Sequence, residues 1–207
     1  MQFECTEEEF RILEKIVQDG LKGTFGYSLA LVVLGLKPGT TPAVRHEITE
    51  YQEELGEIGL NNRTVKLNFV DYSELPDYAR EEKTHLPVFV AGNSDKFEVL
   101  KQEYSNRLDY YTDFGLFLGY PKEDVEWYVS EAEEGNNNQY EKSRKKLENP
   151  EDFEKVVSTV MYTPKPTKER YKVAKDRAEK YLKGLRRTDE KFNSNIGKEL
   201  IEVQIEQ

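Results

Sequence analysis

The longest uninterrupted apolar stretch of the chain runs from Leu29 to Leu34. It is too short to cross a membrane, because a spanning helix needs about 20 apolar residues. A run of this length, rich in Leu and Val, favours a buried central strand from Ser28 to Leu34. Periodicity alone does not separate a short buried strand from a buried helix, so the helical alternative stays open. The choice between them decides the fold class.

Helix and strand patterns alternate after this run. Helices are predicted after Thr41-Pro42, over Ser73 to Lys83, and after the N-cap candidate Asn93. Strands are predicted over Val65 to Val70 and over Leu86 to Ala91. Strands separated by helices predict an α/β fold with a mainly parallel sheet flanked by helices. Successive strands would then be joined by right-handed crossovers.

Both ends of the chain have helical patterns. Thr6 and Glu9 form a capping-box sequence before the first helix. Near the other end, helices are predicted from residue 150 to about 161 and, after a Pro-rich linker, from Thr167 to about Leu185. Residues 1–187 are therefore interpreted as one α/β domain whose C-terminal helices begin near residue 150.

Residues 188–207 are interpreted as a tail. Ile201, Val203 and Ile205 alternate with polar residues. This alternation predicts either an edge strand or a disordered end.

The charge is strongly acidic overall but locally basic. The chain has 40 acidic and 30 basic residues, a net charge of -10, which opposes nonspecific binding to nucleic acid or anionic lipid. Basic residues predominate in the predicted helix over residues 167–187. A nucleic-acid role is therefore considered only for this helix, which we expect to dock on the protein through one apolar stripe. The stripe consists of Tyr171, Ala174, Ala178, Tyr181 and Leu185.

Several kinds of chemistry have no sequence support. Cys5 is the only cysteine, and His46 and His85 are the only histidines, so the sequence predicts no disulfide, redox pair or metal site. Phosphate-binding glycine loops and nucleophile elbows are absent from the sequence, and no cofactor is predicted. The acidic segment Met1 to Phe10 does not resemble a secretory signal, so we expect a soluble cytoplasmic protein. Cys5 is predicted to be dispensable, because neighbouring acids raise the pKa of a thiol.

One motif is specific. Residues Gly115 to Val125 read GLFLGYPKEDV, and this segment resembles the GLFLGYPxEDV signature of domain-of-unknown-function family 3793. Leu34 to Pro38 and Arg170 to Gly184 are similar to two further segments of that family, so the resemblance covers most of the chain. Thr112-Asp113 stands where the family usually has His-Glu, and family cysteines are missing here. The resemblance thus implies no thiol or histidine chemistry.

A second resemblance is to the thioredoxin-like fold. It is carried by the order of the predicted elements and by His85-Leu86-Pro87-Val88, which is similar to the segment that follows a cis proline in that fold. It implies a cis Leu86–Pro87 bond. The corresponding active-site loop, Gly35 to Thr41, has no cysteine, so it cannot perform dithiol exchange.

The signature also predicts where a site would lie. If Gly115 begins a strand beside the Ser28 strand, the turns that follow both strands meet at one edge of the sheet, where α/β proteins form ligand clefts. The candidate ligand-binding residues are Lys37, Asp113, Tyr120 and Asp124. Lys37 and the start of the helix after Pro121 favour an anionic or planar small ligand. In that helix, Val125, Tyr128, Val129 and Ala132 share one face.

Three functions are considered. The absence of catalytic motifs favours a noncatalytic binding or scaffolding module with an unknown protein or small-molecule partner. The first alternative is an enzyme that acts on a small ligand near Lys37 and Tyr120. The second is a nucleic-acid-associated protein that uses the basic helix over residues 167–187. The aromatic stretch Tyr104, Tyr110, Tyr111 and Tyr120 is interpreted as either core or pocket lining.

Overall fold

The computed structural model describes residues 5–18, 24–40, 65–71, 85–91, 107–136, 138–147 and 150–205, with backbone pairing alone for the segments 65–71 and 85–91. The helices are α1 (Glu7–Gln18), α2 (Thr24–Val33), α3 (Arg107–Phe117), α4 (Lys122–Glu133), α5 (Gln139–Lys146), α6 (Pro150–Val160), α7 (Lys168–Phe192) and α8 (Ile196–Ile205). The strands are β1 (Gly39–Thr40), β2 (Val65–Asp71) and β3 (His85–Ala91). Most of the described residues are therefore helical.

The predicted central strand is a helix. The segment from Ser28 to Leu34 lies in α2 and the turn after it, and α2 is buried on all sides from Gly26 to Val33. A helix buried on every face has no polar face, so its sequence has the same continuous apolar character as a buried strand. Tertiary packing determines that this segment is a helix, and the local sequence pattern carries no information about that packing.

The prediction of an α/β fold with a mainly parallel sheet is therefore wrong. In the described residues β1, β3 and β2 are neighbours in that order, and both pairings are antiparallel. Strands were correctly predicted at β2 and β3, where Leu67 is paired with Phe89. Without a central Ser28 strand, however, β2 and β3 pair with each other and no parallel crossover is formed around it.

The thioredoxin-like expectation is wrong for the same reason. None of the described residues has a cis peptide bond, so the Leu86–Pro87 bond is trans. The helices predicted to follow Thr41, Ser73 and Asn93, and the side chain of His46, lie outside the described residues.

The first helix has the predicted cap. The backbone N–H of Thr6 donates to Glu9 Oε2 at 2.6 Å, and the backbone N–H of Glu9 donates to Thr6 Oγ1 at 3.2 Å. These reciprocal bonds satisfy two donors that a helix start leaves free. Ile12, Leu13 and Ile16 are then buried on one face of α1.

Helix α7 is longer than predicted but docks as predicted. The Thr167 side chain caps its start by accepting from the Arg170 N–H at 3.2 Å, and the helix ends at Asn193 in a left-handed conformation, φ 50°. Its buried face contains Ala174, Ala178, Tyr181 and Leu185, with Tyr171 partly buried beside them. The predicted stripe is therefore confirmed.

The tail is a helix rather than an edge strand or a disordered end. Asp189, in α7, caps α8 from a distance: Oδ1 accepts from the Gly197 N–H at 2.9 Å and Oδ2 from the Lys198 N–H at 2.8 Å. Leu200 is buried in the core. The local alternation of apolar and polar residues gave a wrong prediction here, because the residue that caps α8 lies in the preceding helix. Gly197 also packs too closely against the Leu185 backbone for any other residue.

Two clusters of buried residues within the described ranges share α7. The "aliphatic core" comprises residues of α1, α2, α7 and α8, with Leu13, Leu29, Leu31, Leu185 and Leu200 among them. The "aromatic cluster" comprises Val156, Val160, Tyr162, Ala174 and Ala178, with Tyr120 and Tyr171 packed against it. Across the described ranges, none of the helices combines the length and the apolar character needed to cross a membrane.

Candidate ligand cavity

The turn after α2 directs Lys37 into the protein. Gly35 has φ +61°, a left-handed conformation that costs glycine little. The backbone N–H groups of Leu36 and Lys37 both donate to Leu31 O, at 2.8 and 3.1 Å. The chain therefore reverses over the end of α2, and only 3% of Lys37 is exposed.

The buried amine of Lys37 is held by hydroxyl groups. Nζ donates to Ser28 Oγ at 2.9 Å, and Ser28 Oγ lies 2.6 Å from Thr40 Oγ1. Ser28 and Thr40 are also buried. Within the described part of the chain, no carboxylate forms an ion pair with Nζ. A cation in this position is stabilised far less than one paired with an acid.

Burial lowers the pKa of Lys37 to about 7, and the nearby charge of Arg177 acts in the same direction. Removing a charged amine from water favours its neutral form. A substantial fraction of Lys37 is therefore an uncharged primary amine near neutral pH.

The signature segment contacts this turn. Gly119 ends the turn after α3 with φ +82°, and a Cβ at this position would overlap the ring of Pro38. The Arg177 guanidinium donates to Gly119 O. The Lys37 Nζ then lies 5.5 Å from the centre of the Tyr120 ring, a cation–π distance. The predicted contact between the two turns is confirmed, although α3 and α2, rather than two strands, produce it.

The other two predicted residues, Asp113 and Asp124, have different surroundings. Asp124 is 2% exposed, and its carboxylate accepts from Arg170 Nε at 3.1 Å, Arg170 Nη2 at 2.8 Å and the Lys165 N–H at 2.9 Å. It joins α4 to the start of α7. Asp113 is partly buried on α3 and is not part of the cavity wall described next. The structure thus brings Lys37 and Tyr120 together, and Tyr120 and Asp124 line the same cavity.

A cavity of about 900 Å³ lies between α3, α4 and the turn after α6. Its wall is formed by Leu108, Tyr111, Phe114, Gly115, Leu118, Tyr120, Asp124, Val125, Tyr128, Val129, Ala132, Glu133, Met161, Tyr162 and Thr163. Apolar and aromatic groups make up most of this wall. Tyr128, which is largely exposed, lies at its mouth.

The sequence contained a signal for this cavity. Val125, Tyr128, Val129 and Ala132 were predicted to share one face of α4, and all four line the cavity. Gly115 keeps α3 close to this helix, because a Cβ there would lie 2.9 Å from both methyl groups of Val125. The face was recognisable, but nothing in the sequence indicated that it borders a cavity instead of a filled interface.

Two features of the cavity wall are unusual. The Tyr162 hydroxyl is buried and, among the described residues, has no hydrogen-bond partner. Burial raises the pKa of Tyr162, so this hydroxyl stays a neutral donor. The adjacent Met161 has φ 61°, a left-handed conformation that is uncommon for a residue other than glycine.

In the first half of the basic helix, most basic side chains pair with acids of the protein itself. Arg170 pairs with Asp124, Lys172 with Asp176, and Lys175 with Asp152 at 2.7 Å. The pKa of Asp152 is lowered chiefly by its bond to Lys175. The exposed basic residues of the second half are Lys180, Lys183, Arg186, Arg187 and Lys191, interspersed with the exposed acids Glu179 and Glu190. A nucleic-acid role would therefore depend on fewer cations than the sequence suggested.

No family model, curated protein or solved structure matches this chain. The resemblance to family 3793 therefore remains a prediction. In the described ranges, no group of three side chains that could hold a metal ion is present.

Proposed function

We propose that this protein is a noncatalytic binding module that holds a planar, mainly apolar small molecule in the cavity between α3 and α4. The cavity itself is the observation that supports this function, with a volume of about 900 Å³ and an aromatic wall. Small-molecule sites usually occupy about 300–1,000 Å³ and are lined by apolar and aromatic groups with a few polar atoms.

The wall favours a flat ligand. The rings of Tyr120 and Tyr162 have their centres 5.2 Å apart, and Tyr111 and Phe114 line the same cavity from α3. Aromatic side chains bind planar groups by offset or edge-on stacking.

A binding role fits the wall better than acid–base catalysis. The buried acid of the wall, Asp124, is already bonded to Arg170 and Lys165. The other acid, Glu133, is exposed. A general acid or base needs a group placed at the reacting atom with its proton available. Among the wall residues, neither carboxylate meets both conditions.

Native mass spectrometry of the full chain purified from its own source tests this function. We expect a retained mass that corresponds to one small molecule per chain, lost on denaturation. Val129→Trp fills the cavity from α4 and should abolish retention, whereas Glu126→Trp, on the exposed side of the same helix, should not. Near-ultraviolet circular dichroism checks that both variants are folded.

Two results would overturn the proposal. One is a folded Val129→Trp variant that retains the same molecule as the parent protein. The other is a parent protein that neither retains a molecule nor binds the planar probe 2-methylnaphthalene, measured by tyrosine and tryptophan fluorescence.

A further inference from the structure

Tyr120 borders the cavity and also contacts the buried amine of Lys37. Tyr120 is part of the cavity wall, and the Lys37 Nζ lies 5.5 Å from the centre of the same ring. Lys37 itself is not a wall residue. A rotation of the Tyr120 side chain would therefore bring the amine into contact with whatever the cavity holds.

The surroundings of Lys37 match the conditions that activate a lysine as a nucleophile. Such lysines are desolvated in an apolar site or placed beside a second cation. Lys37 has both conditions, because it is almost completely buried and the charge of Arg177 acts on it. A lysine that only filled space would be destabilising in this position, since an apolar residue of similar length would avoid the cost of burying an amine.

We propose that Lys37 forms a reversible Schiff base with an aldehyde or ketone that occupies the cavity between α3 and α4. This proposal rests on the binding function above and names the chemical class of the ligand, a planar apolar carbonyl compound. Lys37 then supplies the covalent link, and the aromatic wall supplies the contacts with the planar part of the ligand.

The reaction is balanced without an oxidant or a cofactor. The Nζ lone pair attacks the carbonyl carbon, a C–N bond forms, and the carbonyl oxygen becomes a hydroxyl. The C–O bond then breaks, water leaves, and the imine remains. Nζ gives up two protons in all, one to the carbonyl oxygen as the hydroxyl forms and one as water leaves, and both end on that water. Ser28 Oγ, 2.9 Å from Nζ and 2.6 Å from Thr40 Oγ1, is placed to relay them.

The backbone at Tyr120 is fixed, so the side chain is the part that moves. The Tyr120 N–H donates to Gly115 O at 3.0 Å, and Arg177 donates to Gly119 O. Pro38 leaves no space beside Gly119. Access to Lys37 would therefore come from a movement of the Tyr120 side chain.

Trapping with borohydride tests the Schiff base. The full chain is incubated with 2-naphthaldehyde at pH 7.5, reduced with sodium borohydride, digested and mapped by mass spectrometry. We expect a naphthylmethyl adduct at Lys37 at least about 10-fold above that at any exposed lysine, because Lys37 is buried beside Arg177, and both conditions favour the neutral, nucleophilic amine. Lys37→Arg should lose this adduct, and Lys37→Met serves if the arginine variant does not fold. Lys172→Arg, at an exposed position, should keep it.

The outcomes separate this proposal from the binding function. If 2-methylnaphthalene, which has no carbonyl, binds the protein but 2-naphthaldehyde gives no adduct at Lys37, the Schiff base is refuted and the binding function stands. Adducts spread equally over exposed lysines also refute it. If neither naphthalene compound binds, the binding function fails first. Tyr120→Ala should accelerate adduct formation, and an unchanged rate would contradict the proposed role of its ring.

Discussion

The aliphatic core and the aromatic cluster pack against the same helix, α7, but they are built differently. In the aliphatic core, Leu29, Leu31 and Leu185 are fully buried and surrounded by other apolar side chains. In the aromatic cluster, Ala174 and Ala178 of α7 face large rings, and two of these rings, Tyr120 and Tyr162, border a cavity.

Polar side-chain bonds also join the elements around the aromatic cluster. Asp124 binds Arg170, the Tyr171 hydroxyl donates to Asp152 at 3.0 Å, and Ser143 Oγ donates to Pro164 O at 2.7 Å. A wall that faces a cavity has no packing partner on one side, so dispersion forces hold it less firmly. Directional bonds between buried groups can replace that missing support. The comparison indicates that hydrogen bonds and ion pairs maintain the cavity wall, whereas close packing maintains the aliphatic core.

The largest effect is expected at the ion pair of the cavity wall. Arg170→Ala leaves Asp124 buried without its cationic partner, which should lower the free energy of unfolding by about 3–5 kcal/mol. Lys172→Ala removes an exposed pair on the same helix and should have little effect. Urea denaturation measures both. Equal stability of the two variants would show that hydrogen bonds and ion pairs do not support the wall.

The next effect is a pH dependence due to Lys37, which lies where the two clusters meet. Its pKa is about 7 in the folded protein against an ordinary 10.5, so between these values the unfolded chain binds a proton that the folded chain does not. Stability is therefore lowest below about pH 7 and increases as the pH rises toward 10.5. Relative to Lys37→Met, the parent protein should gain about 3 kcal/mol between pH 7 and 9.5. Parallel stability curves for the two proteins would contradict the prediction.

A pair of glycines tests the contact between the turn and the signature. Gly119 and Gly135 both have positive φ, but a Cβ would overlap Pro38 at Gly119 and meet nothing within 4 Å at Gly135. Gly135→Ala should cost about 1–2 kcal/mol from the backbone alone, and Gly119→Ala about 1–3 kcal/mol more from overpacking. Thermal unfolding measures the difference. If the two variants are equally stable, Pro38 does not pack against Gly119.

The smallest effect is expected at Cys5, in the aliphatic core. Burial, and then Glu9, raise the pKa of the Cys5 thiol to about 11, as the neighbouring acids had led us to expect. Cys5→Ser should cost about 1 kcal/mol through burial of a hydroxyl and leave the retained ligand unchanged. Iodoacetamide at pH 8 should label Cys5 only after unfolding. Rapid labelling of the folded protein, or loss of the ligand in the variant, would show a role for the thiol.

The sequence was most informative where local chemistry determines the structure. The Thr6–Glu9 cap of α1, the helix start after Pro121 and the docking stripe of α7 were all predicted, because each depends on residues three or four apart. The contact between Lys37 and Tyr120 was predicted for the right residues. Its assumed basis, two neighbouring strands, was wrong.

The wrong and missing predictions share a physical cause, because each of these features depends on residues that are distant in the sequence. Burial on every side removed the helical pattern from α2. Helix α5 was not predicted, because its polar sequence has no apolar stripe. It is held instead by tertiary bonds such as that from Ser143 to Pro164. The cavity and the unpartnered Tyr162 hydroxyl depend on how several elements meet, and no single segment of the sequence contains that information.

The Asp189 cap also has a consequence for the order in which the chain folds. Asp189 joins α7 to α8 through bonds to residues only eight and nine positions away. Contacts between residues close in sequence form faster than those that close long loops, so the α7–α8 hairpin belongs to the folding nucleus. Asp189→Ala should then slow refolding, because its bonds already exist in the transition state. Gly119→Ala, which disturbs a contact with the distant Pro38, should chiefly accelerate unfolding. We therefore expect the cavity wall to form late in folding and to open early.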